Sequence, residues 1–159
     1  MTNFYSDLNQ EGILSKYLDN IYQEKGIDFY RVFDLDRQHQ GIDVVMIIRS
    51  DEYIIDKKAQ LHYINRDLPT FTFELSYLKG DDIREGWLFD ESKLTDYYFL
   101  ITGVYLKEGK AKLLIHTDIE KLKITSVKRS KLIELLSSRS LNRGKLMNYE
   151  SKIRELQLW

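Results

Sequence analysis

The chain has 159 residues, enough for one domain around one core, and 43% of them are hydrophobic. It has no cysteine, which excludes disulfides and thiolate zinc sites, and a single proline with no low-complexity tract, which argues against long disordered linkers. The net charge of −1 is unevenly placed, with +7 on residues 121–159 and −8 on residues 1–120.

The opening residues lack a basic region followed by an apolar core, so no signal peptide is expected. No apolar run approaches the ~20 residues of a membrane span. A soluble cytoplasmic protein with no membrane association is the expectation. Glycine-rich phosphate loops, the G-x-S-x-G elbow and the dinucleotide fingerprint are all missing. His39, His62 and His116 are scattered and have no ligand partners at helical or strand spacing.

In chain order, Leu14, Tyr17, Leu18, Ile21 and Tyr22 recur at helical spacing and predict an amphipathic helix over 7–25, with Ser6 as cap and Gly26 as stop. Glu11 falls on the edge of that buried stripe. Residues 29–35 predict a first strand, and two more are expected near 42–49 and 53–60. Val44 to Ile48 and Tyr53 to Ile55 are apolar on both faces, the pattern of central strands. After Pro69 the run 70–77 alternates strictly, with Phe71, Phe73, Leu75 and Tyr77 on one face. Strands are predicted at 95–106 and 110–116. Ser126 is placed to cap a helix containing Val127, Leu132, Ile133, Leu135 and Leu136, and Gly144 separates it from a last helix ending near Leu156. The expected fold is a single α/β domain with a mixed sheet and terminal helices. Residues 1–120 would be its core, and 121–159 a basic helical extension packed on it. That extension would either lie along a phosphate backbone or present its charges to solvent.

The two central strands carry the chemistry. Each drops a carboxylate into an apolar run, Asp43 in the first and Asp56 in the second, and Lys58 follows two residues after Asp56. Strand side chains alternate, so Asp56 and Lys58 share a face. The polar break between the strands is Arg49–Glu52. With the turn centred between Ser50 and Asp51, Asp43 faces Lys58 and is a diagonal neighbour of Asp56, roughly 5–7 Å away at Cβ. One whole residue back, Asp43 faces Asp56 directly. Two carboxylates so close repel unless a proton or cation lies between them, and Mg²⁺ or Mn²⁺ would take such oxygen ligands.

Asp43 followed by Asp56-x-Lys58, after a helix and a strand, resembles the PD-(D/E)xK nuclease superfamily, over roughly residues 6–100. The proline usual before the first Asp is replaced by Ile42. The resemblance implies a restriction-endonuclease-like sheet. It implies a metal held by Asp43, Asp56 and the main-chain carbonyl of Lys57, with Lys58 aligning water or steadying the phosphate. A helix acid often completes such a site, and Glu11 is best placed by face; its other reading is a first-turn glutamate favoured by the helix dipole. Gln60 shares the face of Asp56 and would orient Lys58 or simply end the strand. Glu74 is a lone acid on a threonine-rich face, a further ligand candidate. Trp87 and the run Thr95-Asp96-Tyr97-Tyr98 would form a base-stacking and phosphate-binding rim or belong to the core. The expectation is a Mg²⁺- or Mn²⁺-dependent nuclease acting on nucleic acid, with DNA as the expected substrate. The alternative is a non-catalytic nucleic-acid-binding or protein-interaction module.

Overall fold

The structure, a computed structural model, describes the backbone of residues 3–80 and 82–156 and, within those ranges, the side chains from Asn9 onward. A five-stranded mixed sheet forms its centre. The chain runs through helix α1 (Asn3–Glu24), strand β1 (Asp28–Arg31), a single-turn helix α2 (Leu35–His39), β2 (Val44–Ile48) and β3 (Asp51–Ala59). A small hairpin, β4 (Ser76–Lys79) and β5 (Asp82–Glu85), follows. Then come β6 (Tyr97–Leu106), β7 (Ile119–Lys128), α3 (Arg129–Ser138) and α4 (Arg143–Glu155). The sheet order is β1-β2-β3-β6-β7, with β3 and β6 parallel and the other pairs antiparallel, while β4 and β5 form a separate two-stranded sheet. No helix among the described residues is long and apolar enough to cross a membrane.

The core explains the two-sided apolar strands. On one face Leu14, Leu18 and Tyr22 of α1 pack on Val44, Met46, Ile55 and Ile101. On the other, Val32, Ile42 and Val45 close around Ile54. Leu14 is fully buried, and cutting it to alanine would cost about 2–5 kcal/mol.

The β2–β3 turn is Arg49-Ser50, with φ of 52° and 74°. Two left-handed residues give the two-residue hairpin whose twist matches its strands. Val44 therefore pairs with Ile55, and the turn lies one residue back from the Ser50/Asp51 centre.

Several elements differ from the predicted ones. Helix α1 begins at Asn3, so Ser6 lies inside it rather than at its cap. Residues 70–75 form no ladder, although Phe71, Phe73 and Leu75 are half-buried in alternation as predicted. Glu74 and Leu75 lie against 86–88, where the Gly86 N–H donates to the Leu75 carbonyl at 2.8 Å and the Leu88 N–H to the Glu74 carbonyl at 3.3 Å. A Cβ at Gly86 would come within 2.4 Å of the Glu74 carbonyl oxygen, so that crossing requires glycine.

Residues 110–116 are not a strand, because the Asp118 carboxylate accepts the N–H groups of Leu114 and Ile115 and curls the segment. Ser126 caps no helix. It lies in β7, which pairs with the long apolar β6 and covers its open edge. Residues 121–128 thus belong to the sheet rather than to a helical extension. Gly144 sits in the first turn of α4, which Asn142 caps through its side chain.

Candidate functional site

Strand β3 lies mid-sheet, and its alternation sends Asp56 and Lys58 away from α1. Asp56 is 2% exposed. Its Oδ1 meets Lys58 Nζ at 2.9 Å, while its Oδ2 is buried and has no hydrogen-bond partner. The Lys58 ammonium also lies 5.2 Å from the centroid of the Trp87 ring. Gly41 (φ +77°) carries the chain past this point; a Cβ there would fall 2.2 Å from Thr95 Oγ1 and 3.4 Å from Asp56 Oδ2.

Asp43 is one residue outside the β2 ladder. Its N–H donates to the Ile55 carbonyl at 3.1 Å, and its Oδ2 accepts the Lys57 N–H at 2.9 Å. It therefore stands at the open end of β2, across from the stretch of β3 that carries Asp56. Burial pushes the Asp56 carboxyl up, the Lys58 ammonium opposes this, and the Asp43 carboxylate adds to the rise.

A cavity of about 840 Å³ opens over this face. Asp43, Asp56 and Lys58 line it, and so do the predicted Glu11, Lys57, Gln60, Glu74 and Trp87. Segments far apart in sequence converge there, among them α1, the β2–β3 hairpin, residues 71–75 and the turn after β5. Gln60 Nε2 donates to Thr72 Oγ1 at 3.3 Å, and its Oε1 is a second buried acceptor with no partner. The wall behind Lys58 is aromatic. Trp87 packs on Phe73 at 5.4 Å and on Tyr98 at 4.8 Å between centroids. Tyr98 OH donates to the Trp87 carbonyl at 3.2 Å and accepts from Arg129 Nε at 3.1 Å.

Other expected residues are used differently. Asp96 does not line this cavity; its Oδ2 accepts the Ile54 N–H at 2.8 Å, and it serves the sheet. Thr95 is buried and donates to the Gly41 carbonyl. Tyr97 meets Tyr53 edge-to-face on the α1 face, and Tyr98 is fully buried, so neither forms a rim. The Lys57 side chain turns to the α1 face, where its Nζ donates to Ser15 Oγ at 2.8 Å. Burial lowers the Lys57 pKa, and Asp43 and Glu11 are among the groups that oppose the fall.

Among the described residues, three of the ten basic side chains of residues 121–159 form ion pairs within the molecule. Lys123 pairs with Asp67, Arg143 with Glu85, and Arg154 with Glu150. Sequence reasoning missed Gln38, Ser76 and Glu150, which also line the cavity. Nothing in the local pattern around Glu150 distinguishes it from any other helix-surface acid. Its place follows from α4 docking on Ser76, where Ser76 Oγ donates to Glu150 Oε2 at 2.8 Å.

The oxygen donors at this point are of the type that a hard divalent cation takes. Asp56, which lines the cavity, has one buried carboxylate oxygen without a partner, and a second carboxylate is near enough to raise its pKa. Among the described residues no group of three or more His, Cys, Asp or Glu is arranged to hold a metal ion. An ion here would therefore rely on two carboxylates, backbone oxygen and water, the manner in which Mg²⁺ is usually held. No known family model, curated protein or solved structure matches this chain.

Proposed function

We propose that the protein is a metal-dependent phosphodiesterase acting on nucleic acid, with DNA as the first substrate to test, and with a site of PD-(D/E)xK type on a restriction-endonuclease-like sheet. The observation that carries this reading is the buried Asp56 carboxylate, with one oxygen on Lys58 and the other unpartnered, beside a cavity that Asp43 and Lys58 also line. A buried polar atom without a partner costs free energy, and a ligand that completes it recovers that cost.

Asp43 and Asp56 would hold Mg²⁺ or Mn²⁺, with the Lys57 carbonyl beside them and Glu11 on the helix side. The bound ion would polarise the phosphoryl oxygen and lower the pKa of a water. Lys58, fixed between Asp56 and the Trp87 ring, is placed to steady the charge that grows on the phosphate. Trp87 is a positioning residue in this scheme, held in turn by Tyr98 and Arg129. Gln60 and Glu74 line the approach.

Incubation with single-stranded, duplex and branched DNA and RNA tests the proposal. Cleavage should require Mg²⁺ or Mn²⁺ and stop on chelation, and Ca²⁺ should support binding without cleavage. If no substrate in the panel is cut and no metal binds at Asp43 and Asp56, the nuclease reading fails and a non-catalytic binding module replaces it.

A further inference from the structure

A second cavity, of about 510 Å³, lies on the other side of Asp43, between α1 and the β1–α2 loop. Its size suits an organic ligand. Glu11, Gln38, Asp43 and Lys57 line both cavities, so the two adjoin at the end of β2. The second chamber is charge-balanced: Glu11, Asp19 and Asp43 face Lys16, Arg31 and Lys57. Arg31 is taken up by Asp19, with Nε contacts of 3.0 and 3.2 Å, and Lys57 by Ser15. Such a chamber has no surplus positive charge for a phosphate. It carries instead an aromatic ring turned to solvent. Phe33 lines it and is 80% exposed, the most exposed large apolar side chain among the described residues. A Phe ring kept out of the core, at the mouth of a polar and neutral chamber, suits a planar, uncharged, hydrogen-bonding ring.

We infer that this chamber is a nucleobase subsite, in which Phe33 stacks on a base next to the phosphate held at Asp43, Asp56 and Lys58. The inference rests on the nuclease reading for the position of the phosphate, and it adds a substrate class. A base inside a duplex is stacked on its neighbours and cannot reach Phe33. The preferred substrate is therefore single-stranded or locally unpaired nucleic acid.

The test uses the full chain in Ca²⁺ and a short oligonucleotide carrying 2-aminopurine, whose fluorescence falls on stacking. Wild type should bind the single strand more tightly than the matching duplex and quench the probe. Phe33→Ala should weaken single-strand binding by roughly 5- to 150-fold, the range of a lost base–aromatic stack, and Phe33→Trp should restore it. Phe33 is too exposed for its loss to unfold the protein, and a melt of the variant confirms this. Unchanged affinity in Phe33→Ala, or equal affinity for duplex and single strand, would overturn the inference. The two proposals fail separately. Metal-dependent cleavage without Phe33 dependence removes the base subsite alone. Phe33-dependent single-strand binding without metal-dependent cleavage removes the nuclease reading and leaves the base subsite standing.

Discussion

Asp56 and Asp118 are both buried carboxylates, 2% and 3% exposed, and the fold treats them in opposite ways. Asp118 closes a turn: it takes a hydrogen bond from Lys110 and two more from the N–H groups of Leu114 and Ile115, and its pKa is lowered. Asp56 sits in the middle of the sheet with one oxygen on Lys58 and the other bare, and burial raises its pKa. This chain can satisfy a buried acid fully, and at Asp118 it does. At Asp56 it leaves binding capacity unused, beside a second carboxylate and a lysine. On the proposed function, that contrast separates a binding group at Asp56 from a structural one at Asp118.

The largest expected effect is on activity. Asp56→Ala and Lys58→Ala should each reduce metal-dependent cleavage by about 10²–10³, the usual loss when one charge-stabilising group leaves a preorganised site. Asp118→Asn, on the far side of the contrast, should leave the rate of the remaining folded protein near wild type. A steady-state cleavage assay of the three variants breaks the comparison if Asp118 matters as much as Asp56.

Metal linkage comes next. Mn²⁺ at a hundredfold over its Kd should stabilise the wild type by about 2.7 kcal/mol and leave Asp56→Asn unmoved. Thermal melts with and without Mn²⁺ measure both, and equal gains in the two proteins would place the ion elsewhere.

Without metal, the same two acids should respond to substitution with opposite sign. Asp56→Asn should melt at or above wild type, because it removes a charge that burial disfavours and Asp43 repels. Asp118→Asn should melt below it. The Asp43 carboxylate adds a refinement: Asp43→Asn keeps an acceptor for the Lys57 N–H and should fold normally, whereas Asp43→Ala loses that bond, worth about 0.5–1.5 kcal/mol.

The smallest effect is in pH dependence, and it sharpens the pair. The raised pKa of Asp56 gives stability that is present below the unfolded value and lost as pH rises through the folded one. The lowered pKa of Asp118 gives stability that is present above the unfolded value and lost as pH falls through the folded one. Melts from acid to neutral pH should therefore show the advantage of Asp56→Asn over wild type shrinking as pH falls, and the deficit of Asp118→Asn shrinking as well.

The geometry of the candidate site was more legible in the sequence than the outer parts of the fold. Parity in a two-residue hairpin is a strong constraint, so Asp56 and Lys58 could be placed on one face, and Asp43 beside them, before the turn was known to be Arg49-Ser50. Residues converging by chain crossing were partly visible: Glu74 and Trp87 drew notice as polar or aromatic exceptions, whereas Glu150 depended on where α4 docks. The assignment of residues 121–128 to a helical extension, with Ser126 as a cap, fails because Leu122, Ile124 and Val127 follow neither the helical nor the strand period cleanly. Tertiary context decided it, since β6 needed a partner along its edge. Asp96 was misread because a carboxylate next to tyrosines suggests a binding rim, and nothing local reveals that it accepts the Ile54 N–H from a strand 42 residues away in sequence.

The most direct test of the central claim is a crystal soaked with Mn²⁺ and measured for anomalous scattering. The account predicts a peak between Asp43 and Asp56, with the free oxygen of Asp56 among its ligands. A soaked crystal with no peak there, from protein that also fails to bind Mn²⁺ in solution, would contradict it.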